Sequence, residues 1–401
     1  MNDVMKAPGV RAGLAEAGEQ RLGWIRSRMR SLAAIRTEFA ESRPFDGLTI
    51  GVALHSEPKT AVLLETLAAG GAHVVGTGNH GSTQDDIVAA LERNGIELFG
   101  HRDETLDEHR RNLERTIDRK PDILLDNGAD LAAIVADRGL ADTIVGGTEE
   151  TTSGGFRLRE EYAGRIPFPV IVINDSPLKA IAENRHAVGQ SAVESFMRIT
   201  NLQVPGRRFA VAGYGWCGRG VAQYLRALGG KVAVVEVDEL KAFEAAFDGY
   251  RVGSLGELAG WADVVITATG RPGVVTEKVF DLFEDGVVLA NIGHFPWEID
   301  VPALRSHAVR STTVATAIEE LELPSGRRVV LLADGRMYNL AGTAPKGNSI
   351  ESMDLGFTLQ ARSLERVATG TDSLVAGPQR VPDDIERAVA RQTLALLNSA
   401  D

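Results

Sequence analysis

The chain has 401 residues, with 43 Lys and Arg against 55 Asp and Glu, giving a formal charge of −12. That acidic balance argues against a nucleic-acid binder, which shows a basic face, and 44% hydrophobic with 24% charged residues excludes a disordered or fibrous chain. The one cysteine, Cys217, excludes an internal disulfide framework and a multi-cysteine metal site.

In chain order, residues 1–42 read as charged helix, without the apolar block of a secretory signal. No apolar run approaches the roughly 20 residues that span a bilayer, so a soluble, cytoplasmic protein is expected. From Leu48 onward, short apolar runs alternate with amphipathic stretches, the pattern of parallel strands joined by helices. The strand candidates are LTIGVAL (48–54), AHVVG (72–76), DILL (122–125), TIVG (143–146) and VIVI (170–173). A second series follows with FAVAG (209–213), KVAVVEV (231–237), DVVITATG (263–270) and GVVLANIG (286–293). The fold class expected is α/β, with two doubly wound, Rossmann-like parallel-sheet domains joined near 190–205.

FAVAGYGWCGRG sets Gly213, Gly215 and Gly218 in G-x-G-x-x-G spacing between a strand and a helical stretch. Gly213 permits the tight turn, Gly215 lets backbone amides approach a pyrophosphate, and Gly218 lets helix and strand pack closely. The next strand ends at Glu236, whose carboxylate would accept hydrogen bonds from ribose hydroxyls and repel a 2′-phosphate. NAD is therefore expected rather than NADP.

Five polar clusters follow the first set of strands: LHSEPKT (54–60), NHGSTQDD (79–86), LDNGADL (125–131), EETTSGG (149–155) and NDSPLKAIAEN (174–184). Any one of them could be ordinary helix capping. Open α/β sheets bind ligands beyond the carboxyl ends of their strands, so all five are expected to line one crevice.

These segments resemble the S-adenosylhomocysteine hydrolase family, in its shorter archaeal or thermophile-type branch. The match runs through LHSEPKTAVLLETL, GSTQDD, EETTSGGFRL, NDSPLK with Asn184 and GQS, VAGYGWCGRG, NIGHF with EID, and MDLGFTLQA. The resemblance implies a substrate domain (1–188 with 346–370), a central NAD domain (189–345), a C-terminal tail (371–401), a hinge, and a homodimer or homotetramer. It also implies a redox-neutral cycle on a nucleoside: NAD oxidises the 3′-hydroxyl, a group leaves C5′, and the cofactor is regenerated. By motif, Lys179 takes the 3′-hydroxyl proton, Glu183 and Asn184 shape its surroundings, His55 acts near C5′, and His294 sits where cofactor meets substrate. Glu57, Lys59, Thr60, Asp126, Glu150 and Asn348 are expected on the substrate. Thr151, Thr152, Ser153, Asn291 and Asn339 join the glycines and Glu236 on the cofactor. His73, His101, His109 and His307 fall outside these clusters and read as structural.

Four features depart from the family pattern. Asn127 stands where a carboxylate is usual, Glu183 replaces an Asp, Gly347-Asn348-Ser349 replaces a Gly-His-Pro loop, and the Lys and Tyr tail of longer members does not follow VARQTLALLNSAD. An amide at 127 cannot shuttle a proton near neutral pH. The departures favour a specialised nucleoside dehydratase, which would leave an exocyclic alkene, over a hydrolase giving adenosine and homocysteine. A non-catalytic NAD-binding regulator is the third reading, and the retained Lys179 and His294 speak against it.

Overall fold

The computed structural model describes residues 8–294, 296–342 and 344–398. The first seven residues of the N-terminal helical stretch, Phe295 of NIGHF, Thr343 and the last three residues of the C-terminal stretch lie outside the described residues. The chain divides into two compact units. One holds the residues up to Lys179 and those from Ile350 onward, and the other holds Ala180–Ser349.

In the first unit, β1 (Thr49–Ala53), β2 (His73–Thr77), β3 (Glu97–Phe99), β4 (Ile123–Asp126), β5 (Gly146–Glu149) and β6 (Pro169–Val172) form a parallel sheet in the order β3-β2-β1-β4-β5-β6. Parallel strands covered on both faces need near-continuous apolar sequence, and β4 is buried at every position. The winding reverses between β1 and β4, which opens a crevice at their carboxyl ends. The run read as a strand at 143–146 starts instead at Gly146, because Ala141–Thr143 closes a 3₁₀ turn; Glu149 consequently ends the strand.

Chain segments remote in sequence complete this unit. The helix Ile350–Thr369 buries Phe357, Leu359 and Leu364, and its Gln360 Nε2 donates to Thr148 Oγ1 at 2.9 Å. Asp354 on that helix accepts the N–H groups of Ser31 (2.8 Å) and Leu32 (2.9 Å) and so caps the helix Arg30–Ser42 where it breaks from Pro8–Arg28. Residues 371–401, read from sequence as a tail, supply a parallel edge strand, Gly377–Arg380, against β6 and a helix, Asp383–Asn398.

The second unit's strands are β7 (Arg208–Ala212), β8 (Lys231–Val235), β9 (Arg251–Gly253), β10 (Val264–Thr267), β11 (Val287–Asn291), β12 (Arg310–Ala315), β13 (Ile318–Glu322) and β14 (Arg328–Leu332). The order β9-β8-β7-β10-β11-β14 is parallel throughout and repeats the first unit's winding, with β13 and β12 added antiparallel at the edge. Side chains alternate across the sheet: Phe209 and Val211 pack into one core with Phe196 and Leu225, while Ala210 and Ala212 face another with Phe280 and Phe283. Residues 180–188, read from sequence as part of the first domain, pack in this unit instead, because a π-helix, Ala180–Ala187, lies against the helix Trp216–Ala227. Among the described residues, no helix is long and apolar enough to cross a membrane.

Candidate active site and cofactor site

The carboxyl edge of the first sheet carries His55, Asn127 and Lys179 of the expected catalytic residues, whereas Glu183, Asn184 and His294 belong to the second unit. β1 runs into His55, whose Nδ1 lies 2.6 Å from Ser82 Oγ in the loop after β2. From the same loop, Asn79 Nδ2 donates to the Asn127 carbonyl, just past β4, at 3.5 Å. The loops flanking the topological switch are thereby tied together. Glu57 and Lys59 form a buried ion pair at 2.6 Å where the helix Pro58–Ala69 begins, with Thr60 buried in its first turn. Such a pair sacrifices hydration and is weak evidence for stability.

Further along the edge, Lys179 Nζ pairs with Glu150 Oε1; both side chains are buried. β5 delivers Glu150, and the turn Ile173–Asp175 after β6 brings the chain round to Lys179. Asn127 is buried as well. Its Oδ1, Asn79 Oδ1 and Thr83 Oγ1 have no hydrogen-bond partner among the described residues. Buried polar atoms are nearly always satisfied, so orphans grouped in one loop region mark where a polar ligand is received.

Two other acids serve the chain itself. Asp126, expected on the substrate, accepts the N–H groups of Asn127 (3.0 Å), Asp130 (3.1 Å) and Ala132 (2.8 Å), which reassigns it to shaping the turn into the helix Asp130–Asp137. Burial, and then the neighbouring Glu149 charge, push its carboxyl up to about 8. Glu149, which the sequence reading passed over, accepts from Gly128 N (3.0 Å), Ala129 N (2.9 Å), Thr151 N (2.7 Å) and Thr151 Oγ1 (2.6 Å). Burial raises its pKa too. Together these acids fix the turns that carry Asn127 and Glu150.

The second unit holds the glycine turn. Gly213 has φ +99°, a left-handed conformation that favours glycine. A Cβ on Gly218 would lie 1.9 Å from the Gly213 carbonyl, whereas one on Gly215, at the mouth of the helix Trp216–Ala227, would meet nothing within 4 Å. A tight turn, a close packing contact and an open helix N-terminus make a dinucleotide pyrophosphate cradle. At the end of β8, Glu236 accepts from Tyr214 N (2.7 Å), Val237 N (2.8 Å) and Asp238 N (3.1 Å), so the carboxylate is fixed beside the glycine turn.

Asn339 donates to Ser191 Oγ at 3.0 Å, and Ser191 Oγ shares its proton between the Val188 carbonyl (3.2 Å) and Asn348 Oδ1 (3.3 Å), so Ser191 lies between two expected site residues. Asn339 Oδ1 is buried and, among the described residues, lacks a partner. Asn291 is wholly committed to the chain: its amide donates to Gly293 O (3.1 Å) and Gly335 O (2.9 Å) and accepts from Gly293 N (2.8 Å) and Thr267 Oγ1 (3.0 Å). It orders the bend that carries the half-buried His294. Glu298, also passed over, is buried and holds the neighbouring loop through Thr269 N (2.9 Å) and Gly270 N (2.7 Å). Glu183 and Asn184 are buried in the π-helix. Thr151, Thr152 and Ser153, expected on the cofactor, open the helix Thr152–Glu160 of the first unit, where the Thr151 hydroxyl caps Gly154 N at 3.0 Å and Thr152 is exposed.

Winding order, glycine turn and acidic strand end define an NAD-binding doubly wound enzyme with a second doubly wound unit, whose sheet edge bears the Lys179–Glu150 pair and His55. Sequence comparison agrees: the S-adenosyl-L-homocysteine hydrolase profile matches residues 10–140, and the profile of that enzyme's NAD-binding domain matches residues 184–345. An S-inosyl-L-homocysteine hydrolase of Methanopyrus kandleri is 44% identical over 386 residues, 95% of this chain and 91% of its own. An adenosylhomocysteinase of Pyrococcus abyssi is 42% identical over 382 residues, 94% of this chain and 90% of its own. The chain belongs to the S-adenosyl-L-homocysteine hydrolase family.

Proposed function

We propose that the protein hydrolyses the C5′ thioether of a purine S-nucleosidyl-homocysteine, consuming one water and releasing the nucleoside and homocysteine. The observation that carries this reading is the buried Lys179–Glu150 pair, on the same sheet edge as the anchored His55. NAD, when bound, would supply the hydride acceptor for C3′ and the hydride for the closing reduction. Gly213, Gly215, Gly218 and Glu236 would hold it, and Asn339 Oδ1, which has no partner among the described residues, would fit an amide donor.

Glu150 accepts a hydrogen bond from the ribose diol, and Lys179 takes the 3′-hydroxyl proton, a role for which the ammonium of the resting Lys179–Glu150 pair must first give up its own proton. A ketone at C3′ makes the C4′ proton acidic, so the thiolate can leave C5′; water then adds there, with His55 moving the proton. The Glu57–Lys59 pair offers one acceptor and one donor. It complements a 6-oxopurine edge in one register and a 6-aminopurine edge in the other, which accords with relatives named for inosyl and for adenosyl thioethers. Asn127 and Asn79 contribute amide groups for binding, and proton transfer at C5′ falls to His55. An imidazole serves hydration as well as elimination, so replacement of a carboxylate at 127 does not by itself require a dehydratase.

The test supplies S-inosyl- and S-adenosyl-homocysteine, and the corresponding free nucleosides, to the NAD-loaded protein and identifies products by mass. Free homocysteine with intact nucleoside is expected. A nucleoside lighter by one water, with no thiol released, would restore the dehydratase.

A further inference from the structure

His55 is bonded through Nδ1 to Ser82 Oγ, and either atom could in principle donate. The remaining contacts of Ser82 remove the ambiguity. Its hydroxyl also lies 2.9 Å from the Asn79 carbonyl, which can only accept. A serine has one hydroxyl proton, and that proton is spent on Asn79 O. The 2.6 Å contact to His55 then requires Nδ1 to be the donor and Ser82 Oγ the acceptor.

We propose that Ser82, with the Asn79 carbonyl behind it, is a positioning residue that holds neutral His55 in its Nδ1–H tautomer, leaving Nε2 as the atom that takes up a proton. The loop is braced to keep this arrangement. Ser82 N also donates to Asn79 O (3.2 Å), Gln84 N donates to Ser56 O (2.9 Å), and His80 Nε2 donates to Glu104 O (2.9 Å). A Cβ on Gly78 would come within 2.1 Å of Thr83 Oγ1 and 2.9 Å of Ser56 Oγ, so the loop lies tight against the chain leaving β1.

The consequence rests on the hydrolase reading above and gives its C5′ step a direction. When water adds to the 4′,5′-alkene of the 3′-ketone, its oxygen bonds to C5′, one O–H bond breaks and that proton goes to Nε2. The electron pair of the alkene passes into the conjugated ketone as an enolate, which C4′ protonation later discharges. A resting Nε2–H tautomer would have to lose its proton first.

The tautomer can be read directly. In full-length, NAD-loaded protein labelled with ¹⁵N-histidine, long-range ¹H–¹⁵N correlation distinguishes protonated from bare ring nitrogens, with His55→Gln identifying the His55 signals among the eight histidines. Wild type is expected to show Nδ1 protonated and Nε2 bare. Ser82→Ala should lose that preference and slow formation of the free nucleoside about 10- to 100-fold, a larger effect than on NAD reduction by the same substrate; Ser82→Thr should restore both readouts. An Nε2–H signal in wild type, or a Ser82→Ala protein with unaltered tautomer and nucleoside formation, overturns the proposal. If the tautomer is as stated but His55→Gln forms nucleoside at the wild-type rate, the tautomer assignment is upheld and the role given to His55 under the hydrolase reading is overturned.

Discussion

At the residue scale, the proposed chemistry rests on the buried Lys179–Glu150 pair. Removing one positioned base costs about 10² to 10⁴ in rate, so Lys179→Ala is expected to lose substrate-dependent NAD reduction by that factor while still retaining NAD, measured by stopped-flow absorbance and by cofactor content after gel filtration. Wild-type NAD reduction in the variant would remove Lys179 from its role. At the cofactor, Glu236→Lys should weaken NAD more than NADP, since a repelled 2′-phosphate becomes an attracted one; titration with both dinucleotides checks it, and an unchanged preference would take Glu236 out of the ribose site. Lys179, Glu150, His55 and Glu236 could be singled out as candidates from sequence because each stands in a recognisable segment after an apolar strand. Asp126 was misread because its neighbours in sequence do not reveal that three backbone amides claim its carboxylate. Ser82, Glu149, Ser191 and Glu298 sit inside segments already singled out, but what distinguishes them is a hydrogen bond to residues distant in the chain.

Elements carry these residues, and two contacts between elements have measurable consequences. Gly218 holds the helix Trp216–Ala227 against the glycine turn, with room for no side chain there. Gly218→Ala must push the helix away from the Gly213 carbonyl; overpacking of this kind costs about 1–3 kcal/mol, and stability in chemical denaturation without added NAD should fall more than for Gly215→Ala, whose Cβ meets no atom of the chain within 4 Å. Equal losses would mean the turn tolerates displacement. Asp354 caps a helix whose N-terminus would otherwise expose unsatisfied amides inside the unit, and Asp354→Ala should cost roughly 1–2 kcal/mol in chemical denaturation; no change would mean that Ser31 and Leu32 find other acceptors. Apolar parallel strands announce themselves as continuous hydrophobic runs, which is why β1, β4, β7, β10 and β11 were legible. β12 is exposed along its whole length, and Gly377–Arg380 is short and half polar, so neither carries that signal. The π-helix from Ala180 was hidden for another reason: its wider turns follow from packing against Gly220 and the glycine helix, not from any periodicity of its own.

For the whole molecule, the two units share one winding order and differ at the switch region: one carries the glycine turn, the other a cluster of polar side chains proposed to receive substrate. The buried acids beneath the substrate edge leave a trace in stability. Burial and the neighbouring Glu149 charge push the Asp126 carboxyl up to about 8 in the folded protein, against about 3.9 when unfolded. Between those values the native state binds the extra proton, so this group makes stability fall as pH rises through the window. Asp126→Asn should therefore lose less stability than wild type on going from about pH 4 to pH 8; parallel melting profiles would place the Asp126 titration elsewhere. The central claim is that the C5′ thioether is broken through a transient ketone at C3′, with the C4′ proton removed and later replaced. It is tested most directly by turning over the thioether in deuterium oxide and locating deuterium in the released nucleoside. Incorporation at C4′, lost together with thiol release in Lys179→Ala, is the predicted result; efficient release of homocysteine with no deuterium at C4′ would contradict it.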